Sequence, residues 1–138
     1  MTATPRVLFV CMKNGGKSQM AAGLTRDLAG DRVEVASAGT QPGAGLNALS
    51  VSALGEVGID ISSQVPQPVT DDLVGAADLV VVLGSDARVE PVDGTEVEIW
   101  ETDEPAARGI DGIERMRLVR DDIAARVREL ALRLGVEA

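Results

Sequence analysis

Apolar residues fall along this chain in two rhythms: short unbroken runs, and longer stretches at helical spacing. Arg6-Val7-Leu8-Phe9-Val10 is nearly continuous, the mark of a strand buried on both faces. Val33 to Ala38 reads as a second strand, ended by Gly39-Thr40, and Asp78 to Leu83 as a third, closed by Gly84. Glu96 to Trp100 alternates apolar and polar positions and predicts a fourth. Ser18 to Ala29, with Met20, Gly23, Leu24 and Leu28 along one face, predicts a helix that Gly30 stops. Leu46 to Val57 predicts a second helix, and Asp71 to Ala77 a short third. The last runs from about Gly112 to Leu134, with Ile113, Met116, Ile123, Val127, Leu130 and Leu134 on one face and arginines opposite. Residues 41–45 and 85–94 read as loops, and 59–69, with two prolines, as irregular.

Strands alternating with helices predict an α/β fold. The expected architecture is a three-layer sandwich with a four-stranded parallel sheet, flavodoxin-like in plan. No repeat, linker or low-complexity segment divides the 138 residues, so one domain over 1–138 is expected. Ligands of such sheets bind beyond the carboxyl ends of the strands. That logic points to the segment after Val10.

Charge and composition sharpen the picture. A net charge of −9 argues against a nucleic-acid partner, since phosphate backbones are held mainly by Lys and Arg. No apolar stretch approaches the ~20 residues of a membrane helix, and no signal-peptide pattern opens the chain. A cytoplasmic protein without a membrane partner is expected. A single cysteine and no histidine exclude an intrachain disulfide and every Cys-His or Ser-His pair. They also argue against a transition-metal site, so no metal and no bound cofactor are expected. Of thirteen basic residues only two are lysines, Lys13 and Lys17, and both lie beside that one cysteine.

The segment is Cys11-Met12-Lys13-Asn14-Gly15-Gly16-Lys17-Ser18, between the first strand and the first helix. Consecutive amides in such a turn can face inward as an anion nest, and the following helix adds its unpaired N–H groups and positive dipole end. Gly15 and Gly16 let the backbone curl, and Lys17 adds a full charge at the rim. Cysteine thiols in such fields ionise more readily than a free thiol, whose pKa is about 8.5, and the thiolate is the nucleophile. Ser18 reads either as a hydrogen-bond donor to that sulfur or as a helix N-cap. Asn14 reads either as a left-handed turn residue or as an organising amide. Lys13 is expected to face solvent. A cysteine here could also be a small core residue, but the field around it is positive rather than apolar. The stretch matches the nucleotide loop Gly-x-x-x-x-Gly-Lys-Ser except that Cys11 replaces the first glycine, so an ATP- or GTP-binding module is a rival reading. Against it, the strand ending in Leu83-Gly84 carries no acidic residue for magnesium.

These residues resemble the low-molecular-weight phosphatase fold and its arsenate reductase branch. The family loop Cys-x5-Arg-Ser is read here as Cys11 through Lys17-Ser18, and Gln19-Met20-Ala21 is typical of the arsenate branch. Ser37-Ala38-Gly39-Thr40, Gly58-Ile59-Asp60 and Ala77-Asp78-Leu79-Val80-Val81 also match, so the resemblance covers nearly the whole chain. Asn14 to Ser18 looks most like reductases that pass arsenate to mycothiol. The resemblance implies arsenate as substrate, bound by Met12, Lys13, Asn14, Gly15, Gly16, Lys17 and Ser18, with Cys11, Lys17 and Ser18 in the chemistry. It implies mycothiol, or glutathione, as thiol co-substrate and a glutaredoxin-like protein (mycoredoxin) as redox partner. The family's acidic loop, usually Asp-Pro, corresponds to Asp103-Glu104-Pro105, so Glu104 is expected as the acid, with Asp103 as the alternative. Lysine at 17 removes the planar two-point contact that arginine offers an oxyanion. With no tyrosine in the chain, only Trp100 is left to flank an aryl substrate. A phosphatase is therefore the second reading.

Overall fold

The computed structural model describes residues 4–84, 87–90 and 95–136. Four strands form one sheet: β1 (Arg6–Cys11), β2 (Glu34–Gly39), β3 (Leu79–Leu83) and β4 (Glu96–Trp100). All three pairings are parallel, in the order β2-β1-β3-β4. Parallel neighbours require crossovers, and the helices α1 (Lys17–Ala29), α2 (Ala48–Gly55), α3 (Asp71–Ala76) and α4 (Gly112–Arg133) lie in the connections or after them.

Alternation along β1 divides the core into two layers. Val7 and Phe9 pack with Met20 and Ala21 of α1, Leu54 of α2, and Val119, Ile123, Val127 and Leu130 of α4. Leu8 and Val10 face the other way, onto Val80, Val82 and Val74 of α3. β1 and β3 are buried along almost their whole length, which is why they read as unbroken apolar runs. The expected three-layer α/β sandwich is the observed one.

Boundaries moved by a few residues. β1 runs on through Cys11, and β2 is shifted one residue later than expected, to Glu34–Gly39. α2 is shorter than 46–57 because Asn47 caps it, its side chain accepting the Ser50 N–H at 3.0 Å. Gly30 ends α1 with φ of 59°. The Val7-Leu8-Phe9-Val10 core of β1 brings Cys11 to the carboxyl edge of the sheet. Within the expected loop 85–94, residues 85–86 and 91–94 lie outside the described residues. Pro68, in the stretch expected to be irregular, bridges Gly39 in parallel and extends the edge of β2. Pro105–Arg108 forms a 3-10 turn that the sequence pattern did not announce.

Candidate active site

The loop 12–16 is turned inside out by its surroundings. The carbonyls of Cys11, Met12, Lys13 and Gly15 are bound by amides of the segment after β2, while those of Asn14 and Gly16 accept from α1. Thr40 donates to Cys11 O (3.2 Å), Gln41 to Met12 O (2.7 Å), Gly43 to Lys13 O (2.9 Å) and Asn47 to Gly15 O (2.7 Å). Of the loop amides, that of Asn14 is directed to the Cys11 sulfur. In α1 the first helical bond runs from Met20 N–H to Gly16 O, so the first-turn amides of Lys17, Ser18 and Gln19 have no intrahelical partner. Loop and helix end together are the segments that the sequence analysis expects to hold an anion.

Gly39 shows why the two segments fit. A Cβ there would sit 2.7 Å from Met12 O and 3.0 Å from Asn14 Cβ, so only glycine allows β2 to end against the loop. A Cβ at Gly15 would come to 3.0 Å from Gly45 O. The loop is tight on both sides.

Cys11 is buried, with Sγ 3.0 Å from Ser18 Oγ and 3.3 Å from the donating Asn14 N–H. The direction of the first bond follows from its neighbours. The Gln67 N–H can only donate, and it meets Asn14 Oδ1 at 3.0 Å. That fixes the Asn14 amide with its Nδ2 toward Ser18 Oγ, to which it donates at 2.7 Å. The hydroxyl accepts there, so its one proton is free for the sulfur. Two donors then converge on Sγ.

The sequence alternatives resolve accordingly. Ser18 is not the N-cap: Gly16 holds that position, and Ser18 lies inside the first turn, turned to Cys11. Asn14 is both things at once, with φ of 54° and an organising amide. Lys13 is exposed, as expected. Gln19, which the sequence shows only as part of the Gln19-Met20-Ala21 motif, donates from Nε2 to Asn14 O at 3.1 Å and supports the loop from inside the helix. Gln67 carried no signal, because its role is a backbone bond across 53 positions.

Lys17 crosses the mouth of the nest. Its ammonium donates to Glu104 Oε1, and a Cβ on Gly84 at the end of β3 would lie 3.7 Å from Nζ. Asp103 points elsewhere. Arg108 clasps it with two bonds of 2.8 and 3.1 Å, and these hold its carboxyl below the usual aspartate range. Its backbone N–H donates to Asp122 Oδ2 of α4 at 2.8 Å, which fixes the acidic loop to that helix. The structure therefore brings Glu104, and not Asp103, to Lys17. Trp100 is buried and packs on Phe9, ring centroids 5.9 Å apart, so it does not flank the mouth.

Comparison with known proteins finds relatives in both sequence and fold. The family model described as low molecular weight phosphotyrosine protein phosphatase matches residues 6–138. The arsenate reductase of Bacillus subtilis is 40% identical over 131 residues, covering 91% of this chain and 94% of that protein. A thioredoxin-dependent arsenate reductase of Corynebacterium glutamicum superposes with a TM-score of 0.81 at 34% identity, over 97% of this chain. This chain spans 63% of that one's length. A structure described as an arsenate reductase in the phosphate binding state gives a TM-score of 0.80 at 28% identity, covering 94% of this chain and 98% of that one.

Proposed function

This chain belongs to the low molecular weight phosphotyrosine protein phosphatase family, and within it we propose that it is an arsenate reductase working through Cys11 and an external small thiol. One observation carries the reading: the directed relay Gln67 to Asn14 to Ser18, together with the Asn14 N–H, aims two donors at the Cys11 sulfur beside the start of α1. That arrangement suits a thiolate attacking a tetrahedral oxyanion. The names of its relatives support arsenate as that oxyanion.

Arsenate enters the nest, where the loop amides and Lys17 carry its charge. A thiolate, that of Cys11 or of the incoming thiol, displaces one oxygen. An S–As bond forms as an As–O bond breaks, and the oxygen leaves as water with a proton that Glu104 takes up from solvent once Lys17 turns from its carboxylate to the anion. If Cys11 attacks first, thiol exchange passes the arsenic to the small thiol. A glutaredoxin-like protein then attacks the sulfur of the thiol–arsenic adduct. The S–As electron pair stays on arsenic, which is reduced to arsenite, while the two sulfurs join in a mixed disulfide. Mycothiol is the proposed thiol, with glutathione as the alternative, and both belong to a reducing cytoplasm.

Phosphatase activity is the weaker reading. Lys17 offers a point charge where arginine would grip two oxygens, and Trp100 is in the core rather than beside the mouth. The deciding experiment incubates the purified protein with arsenate and each thiol, reading arsenite release and intact mass. Arsenite release that depends on a thiol is expected. Hydrolysis of an aryl phosphate with no arsenite under any thiol would overturn the proposal.

A further inference from the structure

Beside the loop lies a cleft of about 430 Å³, bordered by Gly15, Gly16 and Lys17. Small-molecule sites run ~300–1,000 Å³, so this one exceeds the needs of a lone oxyanion. Its charged lining is Lys13, Lys17 and Arg115, and its apolar wall is Leu46, Met116 and Val119. Among the described residues no carboxylate lines it. Asn47 and Ser50 also border it, but they are bonded to each other, at 3.0 Å through the Ser50 N–H and 3.3 Å through its hydroxyl. Arg115, in the first turn of α4, has a buried Nε without a hydrogen-bond partner, and its Nη2 comes no nearer than 4.0 Å to Glu104. Guanidinium donors left unused at a cleft wall call for an acceptor.

We propose that this cleft seats the thiol co-substrate, an acceptor-rich small thiol whose oxygens meet Arg115 and Lys13 and whose carbon skeleton lies on Leu46, Met116 and Val119. Its sulfur then faces the loop, where it takes the arsenic as written above. The inference rests on the arsenate reading. Sugar hydroxyls and carboxylates both supply such oxygens, so mycothiol and glutathione share the required chemistry. They differ in charge: a carboxylate on Arg115 weakens with added salt, and a hydroxyl does not.

The test uses two variants away from the nest. Arg115→Ala removes the donors. Gly45→Phe fills the cleft from a position where an added Cβ meets nothing within 4 Å. Binding of the unreactive S-methyl derivatives of mycothiol and glutathione is measured by calorimetry at low and high salt, beside turnover with the parent thiols. Both variants are expected to weaken S-methyl thiol binding and raise KM for the thiol by about tenfold, the effect of losing roughly 1.4 kcal/mol. KM for arsenate and the alkylation rate of Cys11 stay unchanged. Salt sensitivity then identifies a carboxylate-bearing thiol, and its absence a sugar thiol. Unchanged thiol binding in both variants, or no binding by the wild type, overturns the cleft assignment. Binding that the variants weaken, with no arsenite from the wild type, upholds the cleft and overturns the arsenate reading instead.

Discussion

Cys11 was legible because it is the one cysteine in the chain and its field is built from contiguous residues, Met12 to Ser18. What holds that field was not legible, because Gln67 acts through its backbone and Gly39 through the absence of a side chain. Gly39→Ala tests the second point. Its Cβ would press on Met12 O at 2.7 Å, so the variant should lose about 1–3 kcal/mol in urea unfolding and show slower Cys11 alkylation. Unchanged stability and reactivity would mean the loop tolerates a shift away from β2. Lys17 is a question of charge against geometry. Lys17→Ala should weaken the transition state by about a hundredfold in kcat/KM for arsenate, in the range for removal of one charge-stabilising donor. Lys17→Arg should retain arsenate turnover and raise hydrolysis of a phosphate ester. Wild-type kcat/KM in the alanine variant would make Lys17 a bystander.

Elements were read from rhythm, and rhythm served well wherever burial decides the structure. The β1 and β3 runs and the apolar face of α4 are patterns that only packing explains. Rhythm was silent on the acidic loop, where two adjacent carboxylates differ only in their partners. Arg108 holds Asp103 away, while Lys17 takes Glu104. Glu104→Gln should therefore lower kcat by roughly a hundredfold with arsenate affinity kept, and Asp103→Asn should do far less. The reverse order in steady-state kinetics would place the acid at 103. A second charge cluster fastens α2 to α4. Hydrogen bonds from Arg117, joined by Arg120, hold the Glu56 carboxyl well below the usual glutamate range, at about 2. A folded-state value lowered in this way adds stability that is present above the unfolded value, about 4.3, and is lost as pH falls toward 2. Wild-type protein should thus lose stability to Glu56→Gln at pH 7 but much less at pH 2.5, read by thermal melting. An equal difference at both pH values would show that the pair does not titrate with folding.

At the scale of the molecule, the parallel sheet delivers one sulfur to its carboxyl edge and the fold offers that sulfur no second thiol. The parallel sheet and the helices on both faces follow from the alternation of elements, whereas the order β2-β1-β3-β4 was read only from the structure. The partner chemistry does not follow, since an Arg115 donor takes either a carboxylate or a hydroxyl as its acceptor. Among the described residues no helix is long and apolar enough to cross a membrane. With one cysteine, the chain cannot carry oxidation onward into an internal disulfide, so the proposed arsenate chemistry calls for sulfur from outside to complete each turnover. Arsenite production with thioredoxin, its reductase and NADPH, before and after addition of mycothiol or glutathione with its glutaredoxin-like protein, tests this most directly. No sustained arsenite without the small thiol, and multiple turnovers once it is added, is the predicted result. Multiple turnovers on thioredoxin alone would contradict the account.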